Sequence, residues 1–174
     1  MGIQFETDYN METLTAMAKG LRKTVRKKRS RRVHIFAAVV LILGLLTILA
    51  TTAGGEPLGA SGVVTLLALL VVILVSLFED KLNAWFARKR LLPGTEHAVA
   101  TFEEDGYVSA TGVTESRFSY AQIVAVAETT RYFVFALSSH HTQAYDKRNI
   151  RGGSVEDFRA FIAEKTGKPI ANIK

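Results

Sequence analysis

RKKRSRRVHIF, residues 26–36, sets six cations into seven positions and then turns abruptly apolar. Its reading decides the fold, because such a run is a nucleic-acid contact, a nuclear address, or the charged flank of a membrane span. A nucleic-acid contact of this density binds in a salt-dependent, sequence-blind way. No aromatic side chains interleave with these cations to stack bases, as single-strand binders need. A nuclear address would have to detach from an apolar run that starts one residue later. A topology signal needs nothing beyond its position, and that reading is preferred.

The apolar run that follows, Val33 to Thr52, holds no ionisable residue except His34, and a second run from Gly62 to Phe78 holds none. Each approaches the roughly 20 residues that a helix needs to cross about 30 Å of hydrocarbon at about 1.5 Å per residue. The joining residues AGGEPLGASG, 53–62, are short, rich in Gly, and free of Lys and Arg, so the two spans should form an antiparallel hairpin. TTA at 51–53 resembles a signal-peptidase site. The apolar run is too long for a signal core, however, and a second span follows at once.

Charge placement gives the orientation. Of 22 Lys and Arg, nine lie between Lys19 and Arg32 and four between Lys81 and Arg90; residues 91–174 carry nine, against ten Asp and Glu. The positive net charge of +6 therefore belongs to the outer flanks of the hairpin, which is the positive-inside pattern and places both termini in the cytoplasm. The C-terminal half has no basic face to offer a nucleic acid. The same cations attract anionic lipid of the inner leaflet.

Ahead of the spans, MGIQFETDYN alternates at Ile3, Phe5 and Tyr9 and reads as a short strand. From Met11 onward, Leu14, Met17, Leu21 and Val25 fall on one helical face, and Lys19, Arg22, Lys23, Arg26 and Lys27 on the others. Such a basic amphipathic helix lies at a membrane surface, or else continues the span into the cytosol as a solvated helix. Beyond Phe78, Leu82, Trp85 and Phe86 recur at helical spacing in EDKLNAWFARKRLL, with Trp85 and Phe86 as interfacial anchors and Arg88, Lys89 and Arg90 beyond them. Pro93-Gly94 should end that segment.

From residue 96 the period changes. HAVATF, GYVSAT, SRFSY, IVAVAE, YFVFAL and TQAYD are short runs rich in β-branched and aromatic residues, broken by turn formers such as Glu104-Asp105-Gly106. SVEDFRAFIAEKTG then offers Ser154 as N-cap, acidic residues in the first turn, an apolar face of Phe158, Phe161 and Ile162, and Gly167 as stop. Several antiparallel strands and one closing amphipathic helix resemble a pleckstrin-homology-like (PH-like) barrel whose open end the helix plugs. The expected fold is an α+β membrane protein, a two-helix transmembrane hairpin plus a small PH-like antiparallel β-barrel or sheet capped by a C-terminal helix. The chain divides into an N-terminal segment 1–32, a first span 33–52, a short extracytoplasmic loop 53–62, a second span 62–80, an interfacial extension and linker 81–95, and a cytosolic domain 96–174.

A sharper resemblance rests on Asp105-Gly106, Tyr120 to Ile123, Tyr132-Phe133-Val134-Phe135, Lys147-Arg148-Asn149-Ile150 and Glu156-Asp157-Phe158-Arg159. In these pieces, and in its two preceding spans, the chain resembles YcxB-like bacterial membrane proteins. Asp146 stands where that pattern usually has Pro. The resemblance implies a multi-pass protein of the bacterial inner membrane and brings no catalytic residues with it.

No catalytic, cofactor-binding or metal site is expected. The absence of cysteine removes disulfides, thiolate catalysis and Cys-based zinc sites. His140-His141 point to opposite faces if they lie on a strand, and read as an exposed hairpin tip. Glu103-Glu104-Asp105 lack the alternating ligands of a calcium loop and read as a solvated turn. Gly152-Gly153-Ser154 could cradle an anion, yet Glu156 and Asp157 already occupy that helix end, so a connector and cap is the simpler reading. Gly44, Thr47, Thr51 and Thr65 form either a helix-packing face or a set of threonines bonded to their own backbone. The candidate contacts for anionic lipid or a partner are Arg26, Lys27, Lys28, Arg29, Arg31, Arg32, Arg88, Lys89, Arg90, Lys147, Arg148 and Arg151. The expected role is non-enzymatic: a cytosolic PH-like binding or scaffolding module engaging the anionic leaflet, a partner protein or a second copy. The alternative is an accessory or immunity-type membrane protein that acts through its hairpin.

Overall fold

The computed structural model describes residues 2–55 and 57–173, and shows an α+β chain whose sheet portion is assembled from both sides of the apolar hairpin. Strand β1 (Ile3–Asp8) follows the predicted alternation, with Ile3, Phe5 and Thr7 turned inward. It pairs antiparallel with β2 (His97–Phe102) in the register Phe5↔Ala100, some ninety residues away in sequence. β3 (Tyr107–Thr111) and β4 (Glu115–Phe118) extend the sheet on one side, and the two-residue β8 (Ile150–Arg151) closes the other side of β1. The second sheet runs β7 (Thr142–Asp146), β6 (Tyr132–Ala136), β5 (Ala125–Glu128) and β9 (Ile170–Asn172). β9 joins β5 in parallel, which makes that sheet mixed.

The expected folded unit at 96–174 is thus completed by residues 3–8 of the N-terminal segment. The two sheets are also open: β4 and β8 edge one, β7 and β9 the other, and among the described residues no ladder joins them into a barrel. Side chains close the gap instead. Phe5, Phe102, Tyr107, Phe133, Phe135 and Tyr145 meet between the sheets, and Phe158 of α5 (Val155–Thr166) sits 4.6 Å from Phe5, 4.8 Å from Phe102 and 5.0 Å from Phe133, ring centre to ring centre. Most of these pairs are edge-to-face, the arrangement that the ring quadrupoles favour. α5 begins where predicted: Ser154 Oγ accepts from the Asp157 amide at 3.0 Å, and Asp157 Oδ2 accepts from the Ser154 amide at 3.0 Å. It ends at Gly167 with φ +62°, a left-handed cap that favours Gly.

All five residues of β6 are buried because both faces of its sheet are covered. Phe133 and Phe135 face the aromatic core, whereas Tyr132 and Val134 face α1 (Met11–Lys23). Leu14 and Leu21 of α1 are buried, Ala16 and Met17 pack on the Tyr132–Val134 side of the sheet, and a Cβ on Gly20 would lie 2.7 Å from Val134 Cγ1. The amphipathic face expected at a membrane surface is therefore spent on protein. Neither expected reading of this helix describes it, because hydrophobic periodicity does not specify which apolar partner is met.

A three-residue turn separates α1 from α2 (Lys27–Ala53), which carries the basic run and the first apolar stretch in one uninterrupted helix. α3 (Ala60–Leu77) returns alongside it. A Cβ on Gly44 would come within 2.6 Å of Leu69, so Gly44 is a close-packing point of the pair. Thr47, Thr51 and Thr65 instead donate to carbonyls four residues back, at 2.9, 3.0 and 2.9 Å. The expected helical continuation past Phe78 is broken there: the chain bends at φ −104°, ψ 18° and restarts as α4 (Glu79–Lys89). Glu79 and Asp80 favour a new helix N-terminus at that point. α4 lies against α1, with Ala84 fully buried between them.

Candidate functional site

The two ends of the apolar hairpin are tied to each other and to the sheets by polar contacts. Arg22 of α1 donates Nε to Asp80 Oδ1 at 2.7 Å and Nη2 to Oδ2 at 2.6 Å, a bidentate fork on a partly buried carboxylate. That bond with Asp80 raises the Arg22 pKa and keeps the guanidinium charged. Glu79 lies 3.8 Å from Arg22 and 3.7 Å from His34 Nε2, so the start of α4 is held against α1 and α2 together. Arg26, at the head of α2, donates Nε to the Ser139 carbonyl at 2.7 Å, and its Nη2 stands 2.9 Å from His140 Nδ1. The β6–β7 hairpin tip is thereby docked onto the base of the first apolar helix.

Between these contacts lies a groove of about 550 Å³, walled by α1, the first turns of α2, α4 and the β6–β7 tip. Arg22, Arg26, Arg29 and Arg90 are its cations and Glu79 its one carboxylate, while Leu14, Met17, Leu21, Val33 and Phe86 supply apolar lining. Groups able to bind a phosphate-sized anion thus stand beside apolar surface at the point where the first apolar run begins.

The residues singled out from sequence separate into distinct environments. Arg26, Arg29, Arg90 and Phe86 meet in the groove. Lys27, Lys28, Arg31 and Arg32 share the exposed first turns of α2 but do not line it. Arg88 borders a different hollow, with Asp8 and Glu96. Lys89 Nζ sits 3.6 Å above the centre of the Trp85 ring, and the Trp85 and Phe86 rings meet edge-to-face at 4.9 Å. Lys147, Arg148 and Arg151 do not form an unoccupied basic patch. They contact Glu128 at 2.9 Å, Asp146 at 3.1 Å and Glu6 at 3.0 Å. His140 and His141 do occupy a hairpin tip, His140 turned to Arg26 and His141 to the edge of Phe118. In the Glu103–Gly106 turn, the Glu103 and Gly106 carbonyls accept from the Tyr120 hydroxyl at 2.6 and 2.9 Å.

Two buried carboxylates were not anticipated. Glu128 of β5 accepts from Arg159 of α5 at 2.9 and 2.8 Å and from Lys147 at 2.9 Å. The Arg159 hydrogen bonds, aided by Lys147, hold its carboxyl down at about 2. Asp146 accepts from Arg131 at 3.0 and 2.8 Å and from Arg148 at 3.3 and 3.1 Å. Arg131 also pairs with Glu12 of α1. Each carboxylate is saturated by two cations, so these clusters bolt β5, β7, α5 and α1 together.

The overlooked signal for the hairpin clamp was an acidic pair placed directly after the second apolar run. In an antiparallel hairpin that pair returns to the level of the cations before the first run.

Comparison with curated proteins and with solved structures finds no match. The family model described as YcxB-like protein matches residues 102–162, which run from the end of β2 into the last turns of α5 and contain the pieces quoted above from Asp105-Gly106 to Phe158-Arg159. The chain therefore carries a YcxB-like domain at residues 102–162, preceded by two apolar helices long and apolar enough to span a membrane.

Proposed function

We propose that the protein is a non-enzymatic integral membrane protein of the bacterial inner membrane. α2 and α3 cross it as a hairpin, both termini lie in the cytoplasm, and the two sheets with α5 form a PH-like module that binds or scaffolds at the anionic surface. The apolar windows of α2 and α3 have a mean hydropathy of 2.7 and are 0% and 6% buried, which distinguishes them from the core helices of a soluble protein. Cations flank both outer ends of the hairpin and none lies in its loop. The observation that carries the reading is the Arg22–Asp80 fork, which fastens the far end of the hairpin to the helix covering the sheets. Tied at this point, the module stays at headgroup level.

Carbonate washing of membranes and a reporter fused after Lys174 test the proposal. The account expects the full-length chain to stay in the pellet and the reporter to be active only inside the cell. Release by carbonate, or activity only outside the cytoplasm, would overturn it.

A further inference from the structure

We infer that the groove between α1, α2 and α4 holds one anionic phospholipid, its phosphodiester gripped by Arg26, Arg29 and Arg90 and its acyl end led out past Phe86 and Val33. The inference rests on the reading of α2 and α3 as membrane spans, and adds to it a defined site and a ligand class.

Four observations converge on a phosphate. The first is charge balance: four guanidinium groups line the groove against one carboxylate, and that carboxylate, Glu79, is faced by Arg22 at 3.8 Å and His34 at 3.7 Å. Once Arg22 is given to Asp80, three guanidinium groups remain, and among the described residues Arg29 and Arg90 form no ion pair.

The second is residue type. The flanks mix Lys with Arg, yet every Lys and Arg lining the groove is Arg, while Lys27, Lys28 and Lys89 fall outside it. A planar guanidinium matches two phosphate oxygens at once, which an ammonium does not. Arg26 and Arg29 stand three apart at the head of one helix, so both project from the same side. Arg26 is also fixed by its bond to the Ser139 carbonyl.

The third is the end of α2, whose first turn contains no acidic residue and whose amides receive no side-chain cap from Arg26. The Lys27 amide is bonded to the Thr24 carbonyl, and with no carboxylate beside it the positive end of the helix adds to the attraction of the arginines for an anion. The fourth is continuity with apolar surface, which points to a lipid rather than a water-soluble phosphate. Val33, the first residue of the apolar run, is 55% exposed and lines the groove, and Phe86 opposite is 51% exposed. The volume of about 550 Å³ lies in the range of small-molecule sites.

The test uses the full-length protein in nanodiscs of phosphatidylcholine containing a small fraction of phosphatidylglycerol, with retained lipid counted by native mass spectrometry. The wild-type chain should keep one phosphatidylglycerol. R29Q/R90Q should weaken that retention at least tenfold, and K28Q/R32Q, which removes the same charge outside the groove, should change it less than twofold. Thermal melting of both variants verifies that each is folded. Equal losses in the two variants would reduce the effect to smeared surface charge and overturn the site. So would retention abolished equally well by free glycerol phosphate, or no selective retention by the wild type. None of these results touches the hairpin topology, which carbonate washing decides separately.

Discussion

Phe5 lies in a short strand outside the YcxB-like stretch, separated from it by both apolar helices, yet the structure places it at the centre of the aromatic core. Its ring is fully buried and stands 4.6 Å from Phe158, 5.7 Å from Tyr145, 5.8 Å from Phe102 and 6.4 Å from Phe133. F5A removes the whole ring and leaves a void that four rigid neighbours cannot collapse to fill. Such substitutions cost about 3–5 kcal/mol, a large share of the roughly 5–15 kcal/mol that holds a domain folded. At about 4–8 °C per kcal/mol for a unit near 100 residues, the midpoint should fall by about 12 °C or more. The assay is near-ultraviolet circular dichroism of the detergent-solubilised full-length chain during heating, with F86A as the reference. Phe86 is half-exposed and outside the core but meets the Trp85 ring edge-to-face, so F86A should cost about 1 kcal/mol, well below F5A. If F5A melted within about 4 °C of the wild type, β1 would not belong to the unit and the two-sided assembly described above would be wrong.

Other expectations follow from the same contacts. Because Glu128 is held at about 2, below its usual 4.5, its contribution to stability is complete above about pH 4.5 and drains away as the pH falls toward 2. E128Q should lower stability by about 3 kcal/mol at pH 7 and flatten that acid limb, and an unchanged limb in urea titrations at several pH values would contradict the assignment. G20A sets a helix-propensity gain of about 1 kcal/mol against a methyl 2.7 Å from Val134 Cγ1. Overpacking of about 1–3 kcal/mol should win, so the variant should melt lower, and a higher midpoint would show that α1 does not press on β6. A double-mutant cycle of R22Q and D80N should give a coupling of about 1 kcal/mol or more, since the fork is bidentate and partly buried; additivity would mean that the clamp is not formed. G44L should wedge α2 from α3 at Leu69, lengthening a spin-label distance measured across the hairpin, and an unaltered distance would count against that contact.

Local features were legible because local physics writes them. The alternation of Ile3 and Phe5 announces a strand, Ser154 a cap, Gly167 a stop, and the spacing of Phe158, Phe161 and Ile162 a buried helix face. Partnership was not legible. A period of two says that β1 is a strand but not that its neighbour is His97–Phe102, and nothing in Ile170–Asn172 announces a parallel pairing with β5. The amphipathicity of Met11–Lys23 is satisfied equally by lipid or by protein, and only the packed structure shows Val134 beneath Gly20. The cations behaved the same way. Lys147, Arg148 and Arg151 look free in sequence because Glu128, Asp146 and Glu6 come opposite them only after folding. The groove drew Arg29 and Arg90 together from opposite ends of the hairpin, and sequence had flagged both without showing that they converge.

Because the chain has no cysteine, single reporters can be placed without background. The most direct test of the hairpin topology is labelling of G59C, in the loop between α2 and α3, and of E164C, exposed on α5, by a membrane-impermeant maleimide added to intact cells with a permeable outer layer. The account predicts that Cys introduced at 59 reacts at once and that Cys introduced at 164 reacts only after the membrane is opened. Immediate labelling at 164 with protection at 59 would contradict it.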